Sequence, residues 1–278
     1  MNEAGPLPPP CSTPQDIHPV AVKGFSQEGQ YDRKRPAYTD SAVDLIKDLL
    51  LSEGKEENKD NPGIYDVVEV GSGTGKFTLS FLDRIEKPIK YLATEPLGNM
   101  LGVIKEKRPE VFTLQCAAHD LPLPDASAKM VIAAQCFHWF SDLSSLTQIH
   151  RVLEPGGKLV LIWNKRDVSV PWIGDLGDLL EDIHTKCNTA RHQNQAWKRI
   201  FDTYAGFEEL NHVSLPGPSI KGSVEEILAY FSTISVLSIS EENMAVVSEF
   251  IKNHPDLQGQ AEITIPFRTD IYWCSKKI

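Results

Sequence analysis

The chain has 278 residues, 41% hydrophobic and 24% charged, a balance that excludes a disordered or fibrous polymer and suits a soluble globular protein. With 28 Lys and Arg against 38 Asp and Glu its formal net charge is −10, and no basic run exceeds Arg33-Lys34-Arg35, so neither nucleic acid nor an anionic membrane is an expected partner. No apolar stretch approaches the ~18–20 residues of a membrane span, and Met1 is followed by no apolar leader.

The five cysteines (Cys11, Cys116, Cys136, Cys187, Cys274) are odd in number and form no C-x-x-C pair. Reduced thiols in the cytoplasm are expected, with no disulfide framework and no metal site.

Residues 1–22 read as a flexible Pro-rich arm, with five prolines before Asp16. From Thr39 the residues Ala42, Val43, Leu45, Ile46, Leu49 and Leu50 recur at helical spacing, and a polar loop over 52–63 ends that helix. Short apolar runs at 65–70, 89–94, 111–116, 130–134 and 158–163 follow, bounded by Gly, Pro or charge, as parallel strands covered on both faces should be. Helical patterns at 76–85, 97–107 and 143–153 alternate with them. The βαβ rhythm predicts a doubly wound α/β sheet that binds its ligand at the carboxyl ends of the strands.

After Trp163 the rhythm changes. Helical segments are expected at 173–187, 195–204, 224–232 and 241–253, and strands at 207–215 and 262–273. No linker composition separates them from the preceding core. The expectation is one domain over 23–278, with a cofactor-binding core at about 64–165 and with inserted helices and sheet-completing strands over 166–278.

The chemistry begins where Val67-Val68-Glu69-Val70 runs into Gly71-Ser72-Gly73-Thr74-Gly75 and then a helix. Alternate glycines let the chain turn tightly and let a ligand lie against bare backbone at a helix start. A triphosphate-binding loop would need Gly at 70 and a hydroxyl residue at 77, where Val70 and Phe77 stand; a dinucleotide loop would need Gly at 76, where Lys76 stands. Glu95 closes the next strand, 20 residues after Gly75, where a carboxylate can accept both hydroxyls of a ribose.

The remaining pattern, G-x-G-x-G after an acid, resembles the first motif of class I S-adenosylmethionine-dependent methyltransferases. Ala118-His119-Asp120-Leu121-Pro122, Gln135-Cys136-Phe137-His138-Trp139-Phe140 and Arg151-Val152-Leu153-Glu154-Pro155-Gly156-Gly157 look like successive motifs of its type 11 branch. Trp163, Asn164 and Asp167 point within it toward trans-aconitate methyltransferase-like small-molecule enzymes. Phe25, Tyr31, Arg35-Pro36 and Tyr38, and Arg268 to Tyr272, also resemble that branch.

The resemblance implies a Rossmann-like, mostly parallel seven-stranded sheet with added helices. Its cofactor would be S-adenosylmethionine: Glu69, Gly71, Ser72, Gly73, Thr74 and Gly75 hold the methionine part, Glu95 the ribose, Ala118 and His119 the adenine edge, and Gln135 lies near the sulfonium. A small-molecule acceptor is implied, methylated on oxygen of a carboxylic acid or hydroxyl, by a chain expected to be a monomer. His138 is a candidate base and Arg35 a candidate clamp for acid groups, while Trp139 and Phe140 suit a wall beside the cofactor. The branch commonly carries an acid before the Leu-Pro pair, where this chain reads Cys116-Ala117-Ala118-His119; Asp120 or a backbone carbonyl is the substitute. That departure leaves open a binding module that has lost transfer, and Glu95 leaves open a nicotinamide oxidoreductase.

Overall fold

The structure is a computed structural model that describes residues 34–52, 65–187 and 195–278; the Pro-rich arm, Cys11, Phe25, Tyr31 and most of the predicted polar loop lie outside the described residues. Helix α1 (Asp40–Leu51) follows Thr39 and buries Ala42, Val43 and Ile46. Then come β1 (Tyr65–Val70), α2 (Lys76–Leu82), β2 (Tyr91–Thr94), α3 (Gly98–Lys107), β3 (Phe112–Leu114) and β4 (Ala128–Ala134). A 3-10 turn (Phe137–Trp139) leads to α4 (Leu143–Val152) and β5 (Leu153–Arg166).

The second half holds α5 (Pro171–Lys186), a 3-10 turn (Ala196–Lys198), α6 (Arg199–Thr203), β6 (Asn211–Gly222), α7 (Val224–Phe231), α8 (Ser235–Ser238), α9 (Glu241–Asn253) and β7 (Ile263–Ser275). Among the described residues no helix is long and apolar enough to cross a membrane.

The strands form one sheet in the order β3-β2-β1-β4-β5-β7-β6. β3, β2, β1, β4 and β5 are parallel, whereas β7 runs antiparallel to both β5 and β6. Strand order reverses at β1, whose Glu69 lies beside Ala93 of β2 and Ile132 of β4, so the carboxyl ends of β1, β2 and β4 open the crevice.

Successive residues of a strand face opposite sides, and the core divides accordingly. Val68, Phe137, Leu161 and Trp163 pack on one face. Val67, Phe77, Ile132 and Ile162 pack with α1 on the other. A third cluster joins Trp172, Leu180, Phe231, Ile251 and Phe267 from the appended helices and β7. Ser223 caps α7 by accepting the Glu226 N–H (3.3 Å) while Glu226 accepts the Ser223 N–H (2.8 Å), which fixes the start of the helix that carries Tyr230 and Phe231.

The expected sheet class is present, with differences at the late strands. β6 begins at Asn211 and continues to Gly222 through a register shift between Pro216 and Ser219, since a proline cannot donate to the ladder and breaks the alternation that marks a strand. The predicted helix at 195–204 is a 3-10 turn followed by the five-residue α6, and the short α8 has too few turns to show periodicity.

Gly75, at the start of α2, has φ +82°, and a Cβ there would stand 2.6 Å from Ile104 Cγ1 of α3. Gly75→Ala therefore meets both a left-handed backbone and a packed neighbour, and is expected to lower stability by about 2–4 kcal/mol. Chemical denaturation measures this, and a variant as stable as the parent would mean that the glycine is not a packing requirement.

Candidate functional site

Three strand ends and a roof enclose a cavity of about 300 Å³. Its floor is the glycine loop. Gly71 and Gly73 hold φ of +71° and +55°, values that side-chain-bearing residues rarely adopt. A Cβ on Gly71 would collide with Cys136 Sγ at 2.8 Å, so this glycine lets β1 and the post-β4 turn approach. A Cβ on Gly73 would meet nothing nearer than Met100 Sδ at 4.0 Å, so this glycine faces open space in the cavity lining.

Glu69 is only 1% exposed. Its Oε2 accepts hydrogen bonds from Thr78 Oγ1 of α2 and from Tyr91 OH of β2 (2.7 Å), while its Oε1 has no hydrogen-bond partner. Burial pushes its carboxyl up to about 7 against those two donors, with the neighbouring charge of Glu95 adding to the rise. A buried carboxylate oxygen without a partner is an acceptor awaiting a cation or donor.

Glu95 ends β2 and stands 7% exposed. Its Oε2 accepts the Gly73 N–H (3.0 Å) and its Oε1 the Leu97 N–H (3.1 Å). Burial raises this carboxyl to about 7 as well, and the two backbone donors hold it down in part. Cys116, Ala117, Ala118 and His119 border the cavity beyond it. After β4, Gln135 takes φ +64°, a strained value for a glutamine, while its N–H still donates to Ile162 O (2.8 Å).

Basic residues also line the cavity. The segment before α1 passes over it, held by three bonds to backbone carbonyls: Arg35 Nη2 donates to Thr233 O (2.7 Å), Lys76 Nζ to Arg35 O (2.7 Å) and Asn164 Nδ2 to Ala37 O (3.1 Å). Arg35 lies over the Tyr230 ring at 5.8 Å. Lys165, Arg166 and His184 also line the cavity, with Lys165 neutralised by Asp270 at 2.5 Å. Trp163 Nε1 donates to His138 Nδ1 (3.3 Å), which places the proton of a neutral His138 ring on Nε2.

Of the residues singled out from sequence, Glu69, Gly71, Ser72, Gly73, Thr74, Glu95, Ala118, His119, Gln135, His138 and Arg35 line this one cavity. Gly75 is not among the lining residues; its missing side chain makes room for Ile104. Trp139 and Phe140 line it too, while Phe137 turns into the core. Sequence reasoning did not reach Arg166, His184, Tyr230 and Phe267, which later elements carry in. The one available signal was Arg166 itself, a charge at the end of an apolar strand.

Comparison with known proteins agrees with this geometry. A family model described as "Methyltransferase domain" matches residues 68–161. An uncharacterised methyltransferase of Schizosaccharomyces pombe is 35% identical over 252 residues, covering 88% of this chain and 94% of its own length. A second methyltransferase-like protein of that yeast is 31% identical over 264 residues, covering 93% and 97%. Among solved structures, a candidate type II methyltransferase from Anaeromyxobacter dehalogenans aligns with a TM-score of 0.58 at 19% identity, covering 87% of this chain and 97% of that one, a likeness of fold.

The two raised carboxyls make stability depend on pH. Folding lifts both from an ordinary value of 4.5 to about 7, so between those values the folded chain holds more protons than the unfolded one. Their contribution is complete at the acid end of that window and is lost as pH rises through about 7, a loss on the order of 3 kcal/mol for each group. Denaturation of the ligand-free protein across this window should show the decline. Glu69→Gln, which keeps an acceptor for Thr78 and Tyr91, should flatten it; an unchanged slope would show that Glu69 does not titrate there.

Proposed function

The chain belongs to the S-adenosylmethionine-dependent methyltransferases, and on that premise we propose that it methylates a small molecule on oxygen, of a carboxylic acid or a hydroxyl. The observation that carries this reading is that one cavity is lined by groups of both signs. Its lining includes the carboxylates Glu69 and Glu95 and the guanidinium groups Arg35 and Arg166. The volume, about 300 Å³, is that of a small-ligand pocket.

When bound, S-adenosylmethionine supplies an activated methyl group on a positively charged sulfur. The residues present suit it. Glu69, with its open Oε1, would accept from the ammonium of the methionine part, and Glu95 would accept from the ribose hydroxyls. Gly71, Ser72, Gly73 and Thr74 would hold the methionine part against bare backbone, Ser72 Oγ being a buried hydroxyl with its hydrogen-bonding capacity unused. Ala118 and His119 would border the adenine edge, and Gln135 would stand next to the reacting centre.

The chain's remaining work is positioning and exclusion of water. Trp139, Phe140 and Phe267 provide apolar walls, and Arg35 faces the acceptor from the overlying segment. His138, with Nδ1 occupied by the Trp163 indole N–H, offers Nε2–H as a donor that would orient an acceptor oxygen. A carboxylate acceptor has no proton to surrender, so this tautomer suits it better than it suits a hydroxyl.

Two measurements test the reading. Incubation of the protein with methyl-labelled cofactor and a metabolite extract should transfer label to a small acid, in a product that mild alkali cleaves as an ester. Alkali-stable label would reject the carboxyl acceptor, and absence of any labelled small molecule would reject the reading. Separately, Gly73→Val, strained by the left-handed φ but meeting no packed neighbour, should stay folded at reduced stability, checked by circular dichroism, yet lose binding of S-adenosylhomocysteine in calorimetry by at least about tenfold. Unaltered affinity in that variant would remove the loop from the site.

A further inference from the structure

Two buried hydroxyl groups converge on one atom of the cavity lining. In the register of β1 and β2, Glu69 lies beside Ala93 and Val67 beside Tyr91, so Glu69 and Tyr91 stand on the same face of the sheet. There Tyr91 OH donates to Glu69 Oε2 at 2.7 Å, and Thr78 Oγ1 of α2 donates to the same oxygen. Both donors are held in place: Thr78 is fully buried, and Tyr91, 2% exposed, packs its ring 6.0 Å from that of Phe81.

The distribution is lopsided. Among the described residues Oε2 has two donors and Oε1 has none, although the whole carboxyl is almost out of water. A carboxyl buried for packing alone gains most when each oxygen is satisfied, and an orphaned acceptor carries a desolvation cost. Glu69 lines the cavity, so a ligand there can remove that cost.

We infer that Tyr91 and Thr78 are positioning residues of the cofactor site: by pinning one oxygen of Glu69 they fix the carboxylate with its other oxygen unclaimed, to accept from the ammonium at the cofactor's amino-acid end. This rests on the methyltransferase reading of the cavity and adds to it two residues that lie outside the cavity lining.

A link to protons follows. Burial pushes the Glu69 carboxyl up to about 7, its two donors oppose the rise, and Glu95 at the end of β2 adds to it. The other titratable groups around this network are Cys136, after β4, whose thiol is kept protonated by burial and by both carboxylates, and Tyr38, before α1, which adds to the rise that burial imposes on Tyr91. An ammonium prefers the ionised carboxylate, so its binding expels a proton that Glu69 holds near neutral pH and weakens as pH falls.

Calorimetry of S-adenosylhomocysteine binding tests this. In the parent, affinity should fall about tenfold from about pH 8 to about pH 6. Tyr91→Phe keeps the ring and removes the hydroxyl; it should weaken binding about threefold at the upper pH and about tenfold at the lower, because the lost donor also raises the proton affinity of Glu69. Thr78→Val should behave alike, and Thr78→Ser, which restores a hydroxyl, should recover the parent profile. In a Glu69→Gln background, Tyr91→Phe should cost less than about twofold at either pH. Circular dichroism checks that each variant folds, and the Thr78 pair carries the same test should Tyr91→Phe unfold.

A merely structural role would weaken binding equally at both pH values, and that outcome would overturn the inference. So would a parent affinity independent of pH, parent affinity in Tyr91→Phe or in Glu69→Gln, or an undiminished effect of Tyr91→Phe in the Glu69→Gln background. Failure of the parent to bind S-adenosylhomocysteine would instead overturn the functional reading beneath it.

Discussion

The carboxylate of Glu95 joins two pieces of backbone that the sheet alone leaves apart. One oxygen takes the N–H of Gly73, in the loop after β1, and the other takes the N–H of Leu97, at the approach to α3. The loop can reach that oxygen because Gly71, Gly73 and Gly75 all adopt positive φ, a path that Cβ-bearing residues resist. The constraint fixes the floor of the cavity before any ligand arrives. It also holds a carboxylate in a site dry enough to raise its proton affinity, so a residue of the cavity lining is also a strut of the loop.

The cavity's acidic and basic lining groups are positioned by different elements. Glu69 is set by neighbours from α2 and β2, Thr78 and Tyr91, which claim one of its oxygens and leave the other open. Arg35 and Arg166 are set by α7 and the turn after it, through Tyr230, Phe231 and the carbonyl of Thr233. A cationic cofactor and an anionic acceptor would each meet complementary charge, and the field across the chamber would favour one orientation of the pair. Division of labour of this kind lets the appended helices change acceptor without disturbing the glycine floor.

The parallel half of the sheet was legible because its signals are local. Buried strands read as apolar runs, and Gly71-Ser72-Gly73-Thr74-Gly75 announces a turn whatever follows. Glu95 was legible from its distance to that turn. The separate duties of the glycines were not: Gly75 serves Ile104 of α3, Gly71 serves Cys136 while lining the cavity, and Gly73 lines it with nothing packed against its Cα, differences that depend on contacts far apart in sequence. Arg166, His184 and Tyr230 come from β5, α5 and α7, and no spacing rule links them. The late strands were blurred because Pro216, Gly217 and Pro218 interrupt the period-two pattern within β6.

The position of β7 sets the order in which the molecule can be completed. Its residues 263–275 follow every other strand in the chain, yet they sit between β5 and β6 and, among the described residues, are the only strand that β6 pairs with. As the chain leaves the ribosome, β1 to β5 can assemble, but β5 presents a raw edge with unpaired amides and carbonyls until the final strand arrives. β6, made earlier, waits with nothing to join. The sheet is therefore completed by the insertion of a wedge, and β7 converts two exposed margins into sheet interior.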